Sequence, residues 1–169
     1  MAWAGVAAIA ALAQGRAVAS VALRPLYRGP YDRAYAETYW RTLAAAPSVA
    51  SHPPLASERF LLKIDLLFPP IYGGALATGL WWSAHALGRP EFGAWLMLAV
   101  LLMMVADWTE NVVQLAELSR FTATGRASAG WIALASAATG LKSRLVIALM
   151  LLDVAAGLWV FVRALRAES

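Results

Sequence analysis

Four long apolar runs, at 3–23, 60–82, 92–115 and 143–163, dominate this 169-residue chain. Each approaches the twenty or so residues that an α-helix needs to cross about 30 Å of hydrocarbon. A backbone amide in lipid has no water to bond, so apolar runs of this length are expected to form helices. Hydrophobic residues make up 61% of the chain and charged residues 14%, where soluble domains carry about a quarter charged. That is too little polar surface for a soluble fold, which excludes a disordered chain and an ordinary cytosolic enzyme. The expected fold class is all-α: an integral membrane four-helix bundle forming a single transmembrane domain over 1–169. With no cysteine, disulfides, thiolate chemistry and Cys-bound metals are excluded. The first run lacks a basic leader, and Arg16 interrupts its apolar stretch, so a retained helix is expected rather than a cleaved signal.

The one long polar segment, 24–59, is punctuated by Pro25, Gly29, Pro30, Pro47, Pro53 and Pro54. Within it, 31–45 reads as a helix, making the cytoplasmic first loop partly helical. Tyr27, Tyr31, Tyr35 and Tyr39 recur every four residues, with Trp40 beside the last. That stripe suits either a helix lying among lipid head groups or one packed on the bundle. The net charge of +4 is attributed to positive-inside bias, with no nucleic-acid partner expected. The first loop and third connection carry ten Lys and Arg against three on the other side. Both termini are therefore expected outside the cytoplasm, with the protein in a bacterial inner (cytoplasmic) membrane.

Ionisable groups at membrane depth are costly and tend to mark function. On the third run Asp107, Glu110, Asn111 and Gln114 are spaced i, i+3, i+4, i+7, which places them on one helix face. On the second, Asp65 precedes Phe68-Pro69-Pro70, where two prolines interrupt the helix, and Tyr72 follows one heptad later. Gly73, Gly74 and Gly79 allow close approach of a neighbouring helix. Lys142, at the entry to the last run, is expected level with Asp107. The expected ligand-binding set is Asp65, Tyr72, Asp107, Glu110, Asn111, Gln114 and Lys142, and Arg16 with Asp153 is expected to form a structural ion pair. The adjacent bases argue against an oxygen-only metal site, and Met103 and Met104 read as core packing. No metal and no cofactor is expected, since no phosphate loop, HExxH, GxSxG or dinucleotide motif occurs.

The order Asp65-x-x-Phe68-Pro69-x-x-Tyr72, Ala106-Asp107-x-x-Glu110-Asn111, Thr139-x-x-Lys142 resembles a group of small bacterial and archaeal multi-pass membrane proteins. The resemblance covers 57–165 and implies no settled activity; Pro70, in place of a larger apolar residue, departs from the pattern. In layout, a long first loop before an acid and a proline-aromatic turn, the chain also looks like the sterol-isomerase and sigma-2-receptor type. That likeness implies buried acids in a lipid-facing cavity for amine-bearing or sterol ligands. The histidine and glutamate pattern of the isomerase branch is missing.

Three functions compete. The first is a binding protein with a polar intramembrane cavity for a small amphipathic or lipid-like ligand, with membrane lipids as partners. The second is a membrane enzyme in which a buried acid transfers a proton on a lipidic substrate. The third is a structural accessory subunit, acting as a homo-oligomer or within a larger membrane complex. The charge asymmetry can be tested directly: a reporter active only in the cytoplasm, fused after Ser169, is expected to stay silent. A strong signal would overturn the orientation.

Overall fold

The structure, a computed structural model, describes residues 30–48 and 53–167. The expected first span and Arg16 lie outside the described residues. The rest is helical throughout, with no strand among the described residues: α1 (Arg33–Ala45), α2 (Pro54–Asp65), α3 (Phe68–Ala86), α4 (Pro90–Thr124) and α5 (Ala129–Ala167). Three stretches, Pro54–Ala86 taken through its short break, Pro90–Thr124 and Ala129–Arg166, are long and apolar enough to cross a membrane. The chain is a helical membrane protein.

The local chemistry explains where helices start and stop. Asp32 caps α1 by accepting from the Tyr35 amide at 2.8 Å. Leu66 and Leu67 separate α2 from α3, and Pro69 and Pro70 sit in the first turn of α3, where their missing amides cost no helical bond. Gly88 and Gly125 take φ values of 69° and 74°, the left-handed region that lets a chain leave a helix and turn. Pro90 then restarts the chain as α4.

Where the sequence suggests a single domain, the residues group into two compact units: Met1–Leu66 with Glu110–Ala137, and Leu67–Thr109 with Ala138–Ser169. The expected second span, 60–82, falls within the apolar stretch Pro54–Ala86, which the break at Leu66 and Leu67 divides. Leu61 and Leu62 on α2 are buried and belong to the first unit, while α3, 19 residues long and about 28 Å at 1.5 Å per residue, belongs to the second. The helices α4 and α5, which hold the expected third and fourth spans, outrun them at 35 and 39 residues.

The first unit packs Tyr31, Tyr39, Trp40, Leu43, Leu118, Phe121 and Ile132 around one core. The Trp40 and Phe121 rings lie 5.5 Å apart. The aromatic stripe of the first loop therefore serves packing; Tyr27 lies outside the described residues. Two buried carboxylates hold the α4–α5 turn. Glu37 accepts from the Ala127 amide at 3.0 Å, and Glu117 from the Ser128 amide at 2.5 Å. Arg41 stands 2.7 Å and Arg33 3.8 Å from Glu37.

The second unit has its own core of Leu76, Ala77, Leu80, Val100, Met103 and Leu149, in which Met103 is fully buried. Its surface is quite different. All the exposed large apolar side chains described, except Val112, Trp131 and Leu134, belong to this unit. In water such a continuous apolar surface would drive association; in hydrocarbon it is the ordinary outer face of a span.

The Ala127 amide, ahead of the Arg41 and Arg33 charges and against the opposing effect of burial, holds the Glu37 carboxyl below its ordinary value of 4.5. A depressed carboxylate stabilises the fold above its unfolded pKa, and that stability is lost as pH falls through the folded value. Glu37→Gln is expected to cost about 1.5–3 kcal/mol at neutral pH, the scale of a bond to a charged acceptor, and to flatten the acid limb of the stability curve below pH 4.5. An acid limb identical to that of the parent would refute the clamp.

Candidate functional site

Three helices meet at Asp107. This residue stands on α4, and its side chain is only 8% exposed. Burying a lone carboxylate in an apolar surrounding is prohibitive, so its two oxygens must be answered locally. Tyr72, on the second turn of α3, donates its hydroxyl to Oδ2 at 2.5 Å. Lys142, on α5, donates Nζ to Oδ1 at 2.8 Å, its own side chain 12% exposed. The ion pair is formally neutral and the tyrosine supplies a neutral donor, so the cluster places no net charge in the second unit. The Tyr72 rotamer that reaches Asp107 projects from a helix that Pro69 and Pro70 restart four residues or fewer earlier. Next to it, Gly73 lies so close to α4 that a Cβ would come within 2.6 Å of the Met104 sulfur.

The remaining expected residues belong to the first unit. Glu110 is fully buried, and its Oε1 accepts from Gln114 Nε2 at 3.1 Å. The same amide donates to the Tyr31 hydroxyl at 2.8 Å. Tyr31 is tied down in turn, its backbone amide donating to Ser136 Oγ at 2.8 Å. Asn111 is buried beside this chain, while Asp65 is half-buried as the last residue of α2. The structure thus gathers Tyr72, Asp107 and Lys142 into one cluster and Glu110, Gln114 and Tyr31 into another. Asp153, expected opposite Arg16, lies against α3, where a Cβ on Gly79 would come within 2.7 Å of its Oδ1.

Three buried carboxylates escaped sequence reasoning: Glu37, Glu58 and Glu117. Glu117 was legible, since it continues the spacing of Glu110 and Gln114 by seven and three residues. Glu37 was half legible, flanked by arginines four residues away on either side. Glu58 sits in a polar stretch that offers no periodic signal. Among the described residues, no three His, Cys, Asp or Glu side chains converge as a metal site. His85 is exposed and stacks on Trp81, ring centroids 4.4 Å apart.

One further feature of the second unit adjoins the cluster. A groove of about 460 Å³ runs between α3 and α4, floored by Gly73, Gly74 and Ala77 and walled by Met97, Leu101 and Met104. No polar side chain lines it. Met104 precedes Asp107 by one helical turn, and Gly73 follows Tyr72 directly.

If Asp107 and Lys142 stabilise one another, breaking the pair must cost more than removing it. Lys142→Met alone is expected to destabilise by about 3–5 kcal/mol, and Lys142→Met with Asp107→Asn to recover most of that loss in thermal unfolding. Additive losses would show that the two charges are energetically independent. No protein-family model, curated protein or solved structure matches the chain.

Proposed function

We propose that this membrane protein binds a lipid-like amphipathic ligand in the α3–α4 groove. The ligand's polar group is then directed toward Tyr72, Asp107 and Lys142. The observation that carries this reading is the adjacency of the two features: an apolar trough about 460 Å³ in volume ends within a helical turn of a buried ion pair. Ligand sites are commonly apolar hollows of about 300–1,000 Å³ with a few fixed polar groups. Gly73 and Gly74 keep the trough open, since any larger side chain there would fill it. The cavity is apolar where the sequence suggested a polar one, because Asp107 turns both oxygens to protein donors.

A second reading draws on the same fact. With both Asp107 oxygens bonded, the cluster is also suited to fixing the register of α3, α4 and α5, which is the role of a structural subunit.

Gly74 separates the two. A Cβ built there meets no atom within 4 Å, so Gly74→Leu should enter the groove without disturbing the fold. The parent, purified in mild detergent, is expected to carry a lipid-like molecule detectable by mass spectrometry, and Gly74→Leu to have lost at least nine-tenths of it at unchanged melting temperature. Equal lipid content in the two proteins would leave the structural reading in place.

A further inference from the structure

The first unit sorts its charges. Among its described residues, acidic and basic side chains are equal in number. Glu37, Glu58, Glu110 and Glu117 are buried, and of the acids only Asp32 is exposed. Arg33, Arg41, Lys63, Arg120 and Arg126 are all exposed. An even composition therefore yields a basic surface.

The bases gather rather than scatter. Arg59 donates to Thr122 Oγ1 at 3.3 Å, which sets α2, with Lys63 one turn on, beside the last turns of α4, where Arg120 stands. The bond from the Ala127 amide to Glu37 sets α1 beside Arg126. Arg33 and Arg41 share Glu37, whereas Lys63, Arg120 and Arg126 form no ion pair among the described residues.

The apolar exceptions lie near this rim. Val112 and Trp131 are half exposed, at 52% and 54%, and with Val113, Ala116 and Glu117 they line a hollow of about 200 Å³. Tryptophan favours the head-group level of a bilayer. Arg126 precedes Trp131 by five residues, across the short turn, and a charged leaflet attracts bases over about 10 Å. The unit is also joined through the chain at residues 66–67, 109–110 and 137–138 to segments of lipid-facing character. This tether keeps head groups at high effective concentration.

From these observations we infer that the basic rim of the α4–α5 turn, with Trp131 beside it, is a docking surface for the head groups of anionic phospholipids. This surface is separate from the α3–α4 groove. A nucleic acid would satisfy the charge but leaves the exposed tryptophan and valine without purpose.

The full-length protein in neutral detergent can be titrated with short-chain phosphatidylglycerol and matched phosphatidylcholine, and bound lipid counted by native mass spectrometry. The parent is expected to prefer phosphatidylglycerol, and added salt to weaken that preference. The Lys63→Gln, Arg120→Gln, Arg126→Gln triple variant is expected to lose at least tenfold of the preference, given about fivefold per base near an anionic surface. Its melting temperature in phosphatidylcholine should match the parent; if it does not, Arg126→Gln alone is read, with a several-fold loss expected. A control, Arg163→Gln with Arg166→Gln, lowers net charge elsewhere and should leave the preference intact. A parent without preference, including one that captures RNA instead, overturns the proposal. So does a preference that survives the triple variant or falls equally in the control.

Discussion

A helix that carries Asp107, Glu110, Asn111, Gln114 and Glu117 along one face can be buried only against groups that hydrogen-bond, because an unanswered carboxylate removed from water costs several kcal/mol. All five are buried, and much of the structure follows from answering them. Asp107 requires a donor from each neighbouring helix and finds Tyr72 and Lys142. Glu110 requires the Gln114 amide, which is held by Tyr31. Glu117 takes an amide from the α4–α5 turn. The same stripe thus fixes side chains on α3 and α5, at the start of α1 and in the turn that ends α4.

The two units present different side chains on the same helices. Along α4, the exposed side chains include Phe92, Trp95, Leu98, Leu101 and Val105 in the second unit, whereas in the first Val112 is followed toward the helix end by Ser119, Arg120, Thr122 and Thr124. Apolar surface costs little in hydrocarbon and much in water, so the two stretches of side chain suit different solvents. At about 52 Å, by 1.5 Å per residue, α4 is longer than the roughly 30 Å of hydrocarbon a bilayer offers.

Burial acts differently on the two signs of charge. Carboxylates are short and can be satisfied by backbone amides, as Glu37 and Glu117 are. Lys and Arg reach outward on long stems and are seldom fully buried. A small body that places acids in its interior therefore exposes its bases, and the basic character of its surface exceeds anything its composition implies.

The sequence by itself determined the class. Apolar runs near twenty residues leave the backbone no partners but its own, so four spans were read before any contact was known, of which three fall among the described residues as membrane-length helices. So was the polar face of α4, because i, i+3, i+4, i+7 spacing is a property of one helix. The proline pair announced the break before α3. What periodicity cannot carry is which solvent a segment meets and which partners converge on it. Leu61 and Leu62 read as part of a span, and no apolar run reveals that both are buried within the first unit. Asp65 and Asp107 share a residue type and a similar place along neighbouring runs, yet they belong to different units. Tyr31, 83 residues before Gln114 in sequence, supplies the hydroxyl that Gln114 needs. Such pairings depend on distances between helices, which are set by packing volume and hydrogen-bond geometry across the whole body, and only the tertiary structure decides them.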